Sequence, residues 1–99
     1  MRGDAMYGTC ARTRVKPENR DQLVKVFESQ SYDTQVKGFV KSYVLFEDGS
    51  DAAWMFAVFT DKESYDANAH DPKQHERYME YRALLEEEPE WHDGEITEG

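Results

Sequence analysis

The stretch Trp54-Met55-Phe56-Ala57-Val58-Phe59 is apolar at every position. Its aromatic and β-branched composition favours a strand. A strand apolar on both parities needs cover on both faces of its sheet. The chain has 99 residues, which predicts one small domain over residues 1–99 with a thin core, burying only ~60–65% of the surface exposed on unfolding. A hydrophobic fraction of 38% beside a charged fraction of 33% fits a domain that completes its core by oligomerising. An aromatic content of 13% argues against disorder.

Tyr7 to Val15 alternates, with Tyr7, Thr9, Ala11, Thr13 and Val15 on one side and Cys10, Arg12 and Arg14 on the other, as in a strand. Lys16-Pro17-Glu18 then opens a helix, with Pro17 at its first position and Glu18 near the positive dipole end. Leu23, Val26, Phe27 and Gln30 form its narrow apolar stripe, and Gly38 marks the exit. Phe39 to Glu47 and Ala52 to Thr60 are strand compositions joined by the hairpin signal Asp48-Gly49. Thr60-Asp61-Lys62-Glu63 has the form of a capping box. Asp71-Pro72-Lys73-Gln74 restarts the helix, with Asp71 as cap, Pro72 first and Gln74 reaching back. Tyr78, Tyr81, Arg82 and Leu85 follow at helical spacing, Pro89 closes the segment, and Glu90 to Thr97 is the last strand.

The order is β-α-β-β-α-β, an α+β, ferredoxin-like sandwich whose four-stranded antiparallel sheet carries helices on one face. The bare face calls for a homodimer in which two sheets meet. If Met55 and Phe59 face the helices, that contact centres on Trp54, Phe56 and Val58. Acidic Glu90, Asp93 and Glu95 then fall near Arg12 and Arg14, because the last strand neighbours the first.

The net charge is −9, which disfavours nucleic acid and anionic membrane as partners. Seven acids (Glu86, Glu87, Glu88, Glu90, Asp93, Glu95, Glu98) crowd residues 86–99 with no Lys or Arg, and without them the chain would carry −2. This end is either a solvated tail or a segment that pairs with basic residues elsewhere. No run of ~18 apolar residues could span a membrane. The start MRGDAMYGT lacks the apolar stretch of a signal peptide, and a lone Cys10 allows no internal disulfide, so a cytoplasmic location is expected.

His70 and His75 lie five residues apart around Asp71-Pro72, so they do not share a helical face, and no metal-ligand spacing occurs. Neither a metal nor another cofactor is expected. The set Tyr7, Tyr43, Trp54, Phe56, Phe59, Tyr65, Tyr78 and Tyr81 is rich in polar-tipped rings, which favours a pocket holding water or ligand over dry packing. Cys10, with Arg12 and Arg14 on its side of the strand, is either a reactive thiol or a small buried apolar residue. No nucleophilic triad or Gly-rich phosphate loop is present.

The segments RVKPENRDQL, KGFVKSYVLFEDG and FTDKESYDANAHDP resemble the dimeric α/β-barrel superfamily, most of all its antibiotic biosynthesis monooxygenase-type branch. In the quinol-forming monooxygenases of that branch an Asn and a Trp lie four residues apart on the third strand, followed by a Tyr and an Arg on helices. Matched here, these positions fall on Met55, Phe59, Tyr65 and approximately Tyr78. The resemblance implies a cofactor-independent oxygenase of a small aromatic or polyketide-like molecule. Its catalytic residues would be Tyr65, His75 and Tyr78, and its substrate contacts Met55, Phe59 and His70. Two alternatives stay open: a non-catalytic binding protein that keeps the pocket, and a haem-binding or haem-degrading relative using His75.

Overall fold

Two strands rich in alternating or continuous apolar residues form the centre of the sheet. They are β1 (Met6–Arg14) and β3 (Ala52–Phe59), flanked by β2 (Phe39–Phe46) and β4 (Glu90–Ile96) in the order β2-β3-β1-β4. Every pairing is antiparallel. The structure, a computed structural model, describes residues 6–31 and 37–97. A single 3₁₀ turn, Pro17–Asn19, leads into α1 (Arg20–Ser31), and α2 (Lys62–Ala69) and α3 (Pro72–Arg82) follow β3. This is the ferredoxin-like arrangement read from the sequence. No helix among the described residues is long and apolar enough to cross a membrane.

Register decides which residues meet. Tyr7 pairs with Phe59, Thr9 with Ala57, Ala11 with Met55 and Thr13 with Ala53. These side chains face the helices, where Ala11, Val15, Leu23, Ala53, Met55, Tyr81 and Leu85 form the buried cluster. Val26 and Phe27 of α1 pack against it as the helical stripe requires. Two threonines on this buried side spend their hydroxyls on the chain around β4: Thr9 Oγ1 donates to the His92 carbonyl at 3.3 Å and Thr13 Oγ1 to that of Glu87 at 3.0 Å. The opposite parity carries Arg12 over the Trp54 ring at 5.8 Å and Lys41 over Tyr43 at 5.6 Å.

The structure departs from the local sequence signals at several points. Asp61, not Thr60, caps α2, because its carboxylate accepts the Ser64 amide at 2.7 Å. Asp71 does cap α3, accepting from the Lys73 amide at 2.9 Å. Gln74, however, does not reach back to it, since its Oε1 accepts from Asn68 Nδ2 at 3.1 Å. The last helix ends at Arg82, well before Pro89, so Leu85 joins the core from the following turn. Arg14 pairs with Asp51 at 2.8 Å rather than with the C-terminal acids, and only Glu90 shares a face with Arg12. Asp93 and Glu95 oppose Thr9 and Tyr7 on the helix side. Gly38, expected at the exit of the first helix, immediately precedes β2 with φ of 79°, and residues 32–36, between it and Ser31, lie outside the described ones. The side chain of Gln30 and the whole of Glu98 lie outside the described residues.

Leu23 is fully buried between α1 and the sheet. Leu23→Ala is expected to lower unfolding free energy by ~2–5 kcal/mol, read from the midpoint of urea denaturation at unchanged m-value.

Candidate functional site

A cavity of about 440 Å³ lies between the helix-bearing face of the sheet and the three helices. That is within the ~300–1,000 Å³ range of small-molecule sites. Its floor is Met55 and Phe59, both nearly fully buried. Its walls include Tyr65 from α2, His75, Tyr78 and Tyr81 from α3, and Trp91 from β4. Five of the six residues singled out in the sequence (Met55, Phe59, Tyr65, His75, Tyr78) therefore meet at one place. His70 does not line it. Its Nδ1–H donates to the Asp66 carbonyl at 2.8 Å and finishes α2. A carbonyl only accepts, so that proton is held on Nδ1.

Tyr65 is the best-fixed polar group in the cavity. Its ring contacts Tyr7 at 5.3 Å and Phe59 at 5.5 Å, and its hydroxyl donates to Asp93 Oδ1 at 2.9 Å. Burial first, then the hydrogen bond and charge of Asp93, push this hydroxyl up to about 12. Tyr65 is thus a neutral donor at physiological pH. Tyr78 makes a second tyrosine–carboxylate pair, donating to Glu88 Oε2 at 2.7 Å, while Arg82 Nε binds the other oxygen at 3.2 Å. Desolvation and Glu88 raise the Tyr78 hydroxyl, and the bonds from Tyr78 and Arg82 hold the Glu88 carboxyl below its usual range. At the α2–α3 junction, Arg77 donates to Asn68 Oδ1 and to Gln74 Oε1, each at 3.3 Å. This fixes three polar side chains at the cavity wall.

Sequence reasoning missed Asp93, Glu88, Trp91 and the Asn68–Gln74–Arg77 cluster. Pairing β4 to β1 with Thr9 opposite Asp93 would have revealed Trp91 and Asp93, because alternation sends both to the helix side. The aromatic set divides between two places. Tyr43, Trp54 and Phe56 occupy the parity opposite Met55 and Phe59, with Phe56 still bordering the cavity, whereas Tyr65, Tyr78 and Tyr81 surround it. Cys10 is half-buried on that opposite parity, between Phe56 and His92. Among the described residues no group of three or more His, Cys, Asp or Glu could hold a metal ion.

No protein-family model and no curated protein matches this sequence. Solved structures do. The cofactor-independent oxygenase SnoaB of Streptomyces nogalater superposes with a TM-score of 0.74 at 18% identity, covering 96% of both chains. A conserved Methanosarcina mazei protein reaches 0.75 at 19% identity over 94% of each chain. A Chloroflexus aurantiacus protein, provisionally named an antibiotic biosynthesis monooxygenase, reaches 0.68 at 24% identity over 96% of each. The chain has the ferredoxin-like fold of antibiotic biosynthesis monooxygenase-like structures.

The hydrogen bond to Asp93 makes the ionisation of Tyr65 a measurable property. Removing a negative acceptor makes the phenolate less costly. Asp93→Asn should therefore lower the Tyr65 pKa, while burial, the larger cause, keeps it above the ordinary 10.0. Tyrosinate absorbance, taken as the difference from Tyr65→Phe, reads the shift. An unchanged titration would show that the carboxylate does not act on the hydroxyl.

Proposed function

We propose that this chain is a single-domain, homodimeric, cytoplasmic protein that binds a small aromatic or polyketide-like molecule in the cavity and oxygenates it without a cofactor. The observation that carries the reading is the 440 Å³ cavity with a neutral, oriented Tyr65 hydroxyl at its wall. The likeness to a cofactor-independent oxygenase adds support at the level of fold. The chemistry needs only substrate and dioxygen. A methylene flanked by aromatic rings loses a proton, and the carbanion adds O₂ to form a peroxide. Elimination of water then leaves a carbonyl, with one oxygen atom in the product and the other in water. Met55 and Phe59 would exclude water from the reacting carbon, and Tyr65 would hold a substrate oxygen. His75 or Tyr78 would move the proton.

Ligand binding without turnover is the second reading. It is favoured by the apolar Met55 and Phe59, which offer no hydrogen bond where the resembling oxygenases carry Asn and Trp. Oxygen uptake with 1,8-dihydroxyanthrone separates the two. Turnover above the uncatalysed rate is expected, falling about 10-fold in Tyr65→Phe, the worth of roughly one hydrogen bond. Recovery of the anthrone unchanged from a tight complex would overturn the enzymatic reading and support the second.

The homodimer rests on the helix-free face. Tyr43 and Leu45, each about half exposed, pair directly with Phe56 and Trp54, and with Val58 on the same parity they form one apolar patch. Lys41 lies on β2 at one edge of this face and Glu90 on β4 at the other, so a two-fold mate can set acid against base. Trp54→Asp would put a carboxylate in place of the central apolar ring of that patch. Light scattering should then find monomer or unfolded chain where the unmodified protein is dimeric. A folded, monomeric unmodified protein at micromolar concentration would sink the proposal.

A further inference from the structure

Among the described residues five large hydrophobic side chains are markedly exposed, and Trp91 is the one that also lines the cavity. The residue is 42% exposed, so it sits at the mouth rather than in the interior. β4 pairs Trp91 with Ala11, and Ala11 pairs in turn with Met55. Ala11 is fully buried in the core, while Met55 and Trp91, one on each side of it in the register, both line the cavity. Tyr78 stands 6.3 Å from the Trp91 ring across the mouth, tilted by 56°. The Tyr78 hydroxyl is held by Glu88, itself held by Arg82, so this opposing ring is fixed. The indole N–H makes no hydrogen bond among the described residues and can only donate.

We infer that Trp91 is the stacking platform at the mouth and that it selects ligands by ring extent. A single ring fits inside against Met55 and Phe59 without touching it. A fused-ring ligand entering by its inner ring leaves its outer ring against the indole face, with an edge oxygen in reach of the N–H. This rests on the reading of the cavity as an aromatic-ligand site. It does not depend on turnover, since stacking acts on binding alone. The family positions matched to Met55 and Phe59 lie on β3, so a platform on β4 is a separate feature of this chain.

The test compares 1,8-dihydroxyanthraquinone with phenol by isothermal titration calorimetry on the intact protein. Trp91→Ala should weaken the fused-ring probe about 10-fold, in keeping with the worth of an aromatic stack, and leave phenol binding unchanged. Trp91→Phe keeps the ring face and should recover most of the affinity. It also serves as the informative variant if the alanine protein unfolds. Equal fused-ring affinity with and without Trp91, or an equal loss for phenol, would overturn the assignment while leaving the aromatic site standing. Failure of the unmodified protein to bind either probe would overturn the site reading itself.

Discussion

The geometry of the cavity depends on the register between β1 and β3, which opposes Tyr7 to Phe59 and Ala11 to Met55. A strand has a side-chain period of two, so a slip of one residue would carry Met55 and Phe59 to the bare face and bring Trp54 and Phe56 under the helices. Close approach of the strands helps hold the register. A side chain at Gly8 would run into the Ala57 carbonyl and Ile96, so this crossing accepts only glycine. Gly38 plays a similar part where the chain enters β2. Its positive φ and its contact with Ser64 exclude a side chain, and its carbonyl accepts the Thr60 amide at 2.8 Å.

The elements were readable because each carries a local physical signature: alternation in β1, Asp48-Gly49 between β2 and β3, and Asp71-Pro72 at the start of α3. Those signatures act within a few residues and survive the absence of tertiary information. What escaped was information about parity between distant strands. Glu90 to Thr97 is polar on both sides and contains Asp93-Gly94, so the sequence offers no apolar face by which to orient it. Asp93 was therefore expected beside Arg12, on the face it turns away from. Alternation did place Trp54 and Phe56 on the bare face, but Tyr43 had no assigned parity until its pairing with Phe56 set it beside them. The displaced cap has a different origin. Asp61 and Thr60 are both good N-cap residues one position apart, and only the backbone geometry at Asp61 separates them.

The acidity of the chain's end acquires a local meaning in this fold. Glu88 and Asp93 both accept hydrogen bonds from tyrosine hydroxyls at the cavity. Each carboxylate raises the pKa of its tyrosine and fixes the direction of the O–H, because an ionised carboxylate can only accept. Tyr65 is thereby kept from acting as a phenolate near neutral pH. Its role in any chemistry is to donate and orient, and proton abstraction must fall to another group. The segment is at once solvated and engaged, since Glu86, Glu87 and Glu95 are exposed while Arg82 holds Glu88 at 3.2 Å.

β4 joins these themes because it serves both faces of the sheet. Trp91 and Asp93 point toward the helices and form part of the cavity mouth, while Glu90 and His92 oppose Arg12 and Cys10 on the bare face. His92 binds Glu90 at 3.0 Å within that face. A second copy seated there would press on alternate residues of the strand that carries the mouth. Strands are stiff along their length, and a displacement felt at Glu90 or His92 must move Trp91 between them. In the proposed dimer, contact and cavity shape would then be linked through one edge strand, without any residue of the partner having to enter the site.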